Sequence, residues 1–173
     1  ELNILTDLVK KNLYKKDINE FKINLDKITE GDLKKIGEEY IKRLDEVSKK
    51  SEITTDKLTA NFKWIGLIKL ILPNSKIVSC TRSSKDICLS IFKNYFTNNE
   101  LNFAYDIDEI VSYYNLYFKL MNHWRSILPD YIYDINYEKL IEDPDSQVKD
   151  LLKYCNLDWD KNCLKFYDNI RVV

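Results

Sequence analysis

Arg82 is the residue whose type and position point most directly to chemistry. It follows Ile77-Val78-Ser79-Cys80-Thr81 and precedes Ser83-Ser84, so it stands where a buried strand should end and a serine-capped helix begin. At the C-terminal edge of a parallel sheet, a helix start supplies free N–H groups, and a planar guanidinium there suits bidentate binding of a phosphate. Ser90, eight residues on, falls inside that helix, where a hydroxyl on its own bonds a backbone carbonyl. Lys57 closes the β-branched run Ile53-Thr54-Thr55-Asp56-Lys57 and, read alone, is a solvated lysine at a strand end. Tyr137, between Asn136 and Glu138 at another strand end, reads equally as packing.

Other chemistries find less support. Cys80, Cys88, Cys155 and Cys163 form no C-x-x-C pair, and His123 is the sole histidine, so no metal is expected. The thiols read as reduced, small core residues in a reducing, cytoplasmic compartment. His123 lies in an aromatic helical stripe and reads as structural. The glycines, Gly31, Gly37 and Gly66, open no G-x-x-x-x-G-K-[ST] phosphate loop.

The elements that must position these residues alternate. Ile4, Leu5, Leu8, Val9 and Leu13 keep helical spacing, and Asp17 to Leu25 is a weaker helix. Thr29, with Asp32 at N3, predicts a capped helix carrying Leu33, Ile36, Tyr40, Ile41, Leu44 and Val47 on one face. Residues 53–57 predict a strand, and Thr59 or Asn61 should cap an apolar helix from Phe62 to Leu72. A strand through Ile77 and a helix to Phe96 follow, then a loop from Thr97 to Asn102. A helix from about Asp108 to Leu128 leads to a strand over Tyr131–Ile135. Asp143-Pro144 marks the start of a helix to Tyr154, and a short helix covers Lys161 to Tyr167. This order predicts an α/β fold with a parallel sheet.

At 173 residues and 45% hydrophobic content, the chain can bury a real core. Lys and Arg nearly balance Asp and Glu, for a net charge of -1, so no global field favours nucleic acid or an anionic membrane. An anion must be bound locally. No apolar run suits a membrane span or a signal peptide.

Several motifs occur in a linked order. Gly66-Leu67-Ile68 leads through Leu72-Pro73-Asn74-Ser75-Lys76-Ile77 to Arg82, with Asp86, Cys88, Leu89 and Ser90 beyond. Leu120-Met121-Asn122-His123-Trp124-Arg125 comes next, then Tyr137-Glu138-Lys139-Leu140 with Asp143-Pro144, and finally Leu157-Asp158-Trp159-Asp160 with Cys163-Leu164. From about Ile53 to Arg171 the chain resembles sulfotransferases that use 3′-phosphoadenosine-5′-phosphosulfate (PAPS), especially bacterial TPR-associated and protein-tyrosine sulfotransferases.

The resemblance implies a P-loop-NTPase-like three-layer fold, a parallel sheet with helices on both faces, and a sulfuryl transfer from PAPS to a hydroxyl without a metal. Residues 1–173 would be one domain fragment, with 1–51 a helical acceptor-side segment and 52–173 the nucleotide-binding part. Arg82 and Ser90 match the pair that holds the 3′-phosphate, Tyr137 a position near the adenine, and Lys57 the lysine beside the sulfuryl group, where a cation neutralises the leaving oxygens. Glu1 matches a glutamate after the phosphate loop and is the implied general base. Acceptors of this class include carbohydrates, tyrosyl peptides and small phenols.

The chain departs from the family in several places, among them the C-terminal loop expected to close over the nucleotide, which does not occur by Val173. The Pro-Arg-Ser-Gly-Thr-Thr loop is absent, so a segment of a longer protein is expected. Ser83-Ser84 replaces an acidic-Pro step, and Leu58-Thr59 replaces Met-Pro. The alternative reading is a non-catalytic α/β interaction module derived from the same fold.

Overall fold

The structure, a computed structural model, describes residues 2–13, 28–49, 51–97 and 99–168. It divides into two compact units, Glu1–Ser75 and Lys76–Val173. Glu1 and the expected helix from Asp17 to Leu25 lie outside the described residues.

In the first unit, helices α1 (Ile4–Leu13), α2 (Glu30–Ser48) and α3 (Ile65–Ile71) pack in succession. α1 buries Ile4, Leu5, Leu8, Val9 and Leu13, an apolar stripe at helical spacing. α2 starts on the predicted capping box: the Thr29 hydroxyl accepts the Asp32 N–H at 3.2 Å, and the Asp32 carboxylate accepts the Thr29 N–H at 3.0 Å. Its buried face is Ile36, Gly37, Tyr40 and Leu44.

Gly37 lets α2 approach the end of α3. A Cβ there would stand 2.3 Å from the Ile71 carbonyl oxygen, a backbone atom that cannot step aside. Alanine improves helix propensity by about 1 kcal/mol, yet overpacking of this kind costs about 1–3 kcal/mol, and a backbone clash belongs at the upper end. Gly37→Ala should therefore lower the melting temperature in a thermal unfolding experiment. An unchanged or raised value would mean that the two helices separate freely.

The strand expected over residues 53–57 does not form. The described residues contain one sheet of two strands, neither of which includes this stretch. A β-branched run prefers a pleated, half-buried surface, but pairing decides, and Ile53 is 59% exposed. Side chains hold the segment instead: Asp56 accepts the Tyr40 hydroxyl at 2.7 Å and the Asn61 amide at 3.5 Å. Burial, then the bond to Asp56, push the Tyr40 phenol far up, so it remains a donor. Neither Thr59 nor Asn61 caps the next helix. Leu58 leads into a 3₁₀ turn over Thr59–Trp64 without a side-chain cap, and α3 follows.

The second unit runs β1 (Ile77–Thr81), α4 (Ser84–Lys93), 3₁₀ turns over Asn99–Tyr105, α5 (Ile107–Ile127), β2 (Ile132–Asn136), α6 (Tyr137–Glu142) and α7 (Pro144–Tyr154). β1 and β2 pair in parallel, from Ile77 opposite Ile132 to Thr81 opposite Asn136. This is the expected α/β arrangement of a parallel sheet with a helical crossover. α4 packs on α5, and α6 and α7 pack on β2. The helix expected to reach Phe96 stops at Lys93, and part of the expected loop is the 3₁₀ stretch. Two short 3₁₀ turns, Lys161–Leu164 and Phe166–Asp168, take the place of the last helix.

β1 is not the buried strand expected. Val78 is 39% exposed and Cys80 is exposed, because a two-stranded sheet covers its strands incompletely. Nor are the cysteines core residues: Cys163 is also exposed, while Cys88 and Cys155 are half-buried. The core of this unit is instead Ala104, Ile110, Met121, Tyr131 and Ile135.

Two contacts fix the strands. Arg125, in the last turn of α5, makes a bidentate pair with Asp134 of β2 at 2.6 and 2.7 Å. At the start of the strands, the Tyr154 hydroxyl accepts the Ile77 N–H at 3.3 Å and donates to the Tyr131 carbonyl at 2.5 Å. One phenol thus ties the C-terminal turn of α7 to the starts of both strands. No described helix is long and apolar enough to cross a membrane.

Candidate functional site

Parallel register decides which residues meet beyond the sheet. With Thr81 opposite Asn136, the next pairs to emerge are Arg82 with Tyr137 and Ser83 with Glu138. Both pairs are in contact. The Arg82 guanidinium carbon lies 4.9 Å from the Tyr137 ring centroid, within cation–π range. The Ser83 N–H donates to Glu138 Oε1 at 3.0 Å.

Local sequence explains the two turns. Asn136 caps α6 by accepting the Lys139 N–H at 2.9 Å, which places Tyr137 and Glu138 on the helix's first turn. Ser83 occupies the N-cap position of α4, as expected, but its side chain makes no capping bond. Its N–H goes to Glu138, a pairing across elements that no local pattern announces.

The corner is charged and open. Arg82 Nε lies 3.8 Å from Asp86 Oδ2, with the two side chains 46% and 50% exposed, an ion pair of small energetic consequence. The Glu138 carboxyl is held below the usual glutamate range, first by the Ser83 N–H and then by its own backbone N–H, with Arg82 adding a smaller attraction. An accessible guanidinium, an aromatic face and the unspent N–H groups of a helix start can together receive a phosphorylated, ring-bearing ligand.

The remaining expected residues are more dispersed. Ser90 lies on α4 one turn beyond Asp86, exposed, and its carbonyl accepts the Asn94 amide at 2.7 Å. Helical rise sets it about 9 Å along the axis from Ser84, while Arg82 precedes the helix. Lys57 is an exposed residue of the first unit, next to the Asp56 carboxylate that Tyr40 holds. Glu1 lies outside the described residues. His123 is exposed, its ring 5.2 Å from that of Trp124. Glu138 was missed as a contact of the corner. Its signal was positional: it stands as far beyond β2 as Ser83 stands beyond β1.

An open groove of about 1240 Å³ in the first unit, between α2 and Leu70–Pro73, contains none of the expected site residues. Among the described residues, no group of three or more His, Cys, Asp or Glu could hold a metal ion.

A protein of Aquifex aeolicus (strain VF5), described only as an uncharacterized protein, is 31% identical over 143 residues, which cover 82% of this chain and 19% of that relative. The chain thus spans about a fifth of the relative's length. No solved structure matches it. The model of the sulfotransferase family matches residues 16–161, a stretch that contains Lys57, the Arg82–Tyr137 corner, Ser90 and the whole parallel sheet. The chain belongs to the sulfotransferase family.

Proposed function

We propose that this chain contributes the donor-nucleotide portion of a PAPS-dependent sulfotransferase, with its sheet forming part of a larger P-loop-like, three-layer domain. Arg82 and Ser90 hold the 3′-phosphate in this reading, and Tyr137 offers its ring to the adenosine. The observation that carries it is the Arg82–Tyr137 pair at the ends of two parallel strands. That donor set fits a phosphorylated nucleoside: the guanidinium is accessible, and the ring is 44% exposed.

When bound, PAPS supplies the sulfuryl group. The chain's own part is to bind, align and neutralise. Arg82 takes the phosphate charge through two N–H groups, and Lys57 meets the charge that grows on the leaving oxygen. The acceptor is a hydroxyl, on a carbohydrate, a tyrosyl peptide or a small phenol.

Calorimetric titration of the intact protein tests the donor reading. Adenosine 3′,5′-bisphosphate should bind at least about tenfold more tightly than AMP, because only the former has a 3′-phosphate for Arg82 to grip. Equal affinities would remove the PAPS reading.

A further inference from the structure

The corner that presents Arg82 contains a carboxylate, which is unexpected where an anion is to bind. Glu138 adds negative charge beside the guanidinium, and the electrostatic expectation is that it weakens any phosphate complex. Its geometry argues for a compensating role. Ser83 links β1 to α4, and its backbone stands at φ −45°, ψ 124° with no side-chain capping bond of its own. What Ser83 does have is the bond from its N–H to Glu138 Oε1 at 3.0 Å. Glu138 is well placed to hold it, since α6 begins directly after β2 and is capped by Asn136.

We propose that Glu138 is a positioning residue for the phosphate corner: by taking the Ser83 N–H, it locks the turn between β1 and α4 and so fixes where Arg82 stands relative to Tyr137. The proposal rests on the donor-nucleotide reading for its functional meaning and on the described geometry for its physical content. The latch joins residues that are 55 apart in sequence. It therefore ties the exit of one strand to the exit of its neighbour, which a local cap could not do. Arg82 has one residue between itself and α4. With the Ser83 N–H released, that turn could rotate, and the guanidinium would lose the fixed orientation that bidentate binding requires. Arg82 itself restrains the turn only weakly, through a long, solvent-exposed ion pair with Asp86 and an exposed contact with the Tyr137 ring.

Two roles for Glu138 predict opposite orders of affinity. A carboxylate that merely competes for the corner should be better removed altogether, so that alanine binds an anion more tightly than glutamate. A latch should survive replacement by glutamine, whose carbonyl oxygen still accepts the Ser83 N–H while carrying no charge, and fail with alanine.

The test uses the intact protein and its Glu138→Gln and Glu138→Ala variants. Amide hydrogen exchange at Ser83 is read without any ligand, and adenosine 3′,5′-bisphosphate is then titrated by calorimetry. In Glu138→Ala, exchange at Ser83 should speed up at least about tenfold and affinity should fall about tenfold, the worth of one hydrogen bond to a charged acceptor. Glu138→Gln should keep Ser83 protected and bind at least as tightly as the wild type. Unchanged exchange in Glu138→Ala overturns the latch. So does bisphosphate affinity in that variant equal to or above wild type. Should the wild type itself not prefer the bisphosphate over AMP, the donor reading fails on its own, and the exchange rates still decide whether Glu138 locks the turn.

Discussion

Lys57→Ala should lower turnover by roughly 10²- to 10³-fold, the loss typical of removing one group that stabilises charge in a transition state, while changing the affinity for adenosine 3′,5′-bisphosphate only slightly. The asymmetry follows from the assigned role. A cation that meets charge growing on the leaving oxygen acts more strongly in the transition state than in the ground state, so its removal is read in kcat. Lys57 is exposed, and its segment is held by Asp56 through Tyr40 and Asn61, so a thermal melt separates a loss of packing from a loss of chemistry. Steady-state kinetics of sulfuryl transfer in the intact protein, together with a thermal melt, provide the check. A variant that melts normally and turns over normally would take Lys57 out of the reaction.

Arg82→Ala should weaken binding of adenosine 3′,5′-bisphosphate by roughly 30- to 150-fold, equivalent to about 2–3 kcal/mol for a charge-assisted bidentate contact. AMP should bind the variant and the wild type alike. Competing terms are smaller. The contact with the Tyr137 ring contributes about 0.5–1 kcal/mol at an exposed site, and the Asp86 pair about 0–1 kcal/mol. The substitution therefore leaves the unit folded. Paired titrations with the two nucleotides isolate the 3′-phosphate, and a variant that still prefers the bisphosphate would mean that another residue holds it.

What the sequence revealed depended on how local the determinant was. The stripe of α1, the Thr29 capping box, Asp143-Pro144 at the start of α7, and the strand before Arg82 are each specified within a few residues, and each formed. Residues 53–57 depart from the strand their composition predicts because β-branched composition states only a preference, and a strand exists only where a partner pairs with it. α6 has little signature in the sequence beyond its cap, Asn136, because it is six residues long and carries only Ile141 and Leu140 as aliphatic positions. The candidate site divided in the same way. Arg82 and Tyr137 were each legible as strand-end residues. Their contact was not, nor was that of Ser83 with Glu138, because both depend on which residue of β1 lies opposite which residue of β2.

That dependence on register also governs how the gene can change. The Tyr154 hydroxyl secures the starts of both strands, and five paired residues later the strands release Arg82 and Tyr137 together. Insertions or deletions in the crossover between α4 and α5 leave this meeting point where it is, since no part of it is measured along the crossover. A single codon gained or lost within β1 or β2 has the opposite effect: it turns the following side chains to the other face of the sheet and separates the two residues in one step. Among homologous genes, length variation should accordingly collect in the crossover and be purged from ten codons of strand.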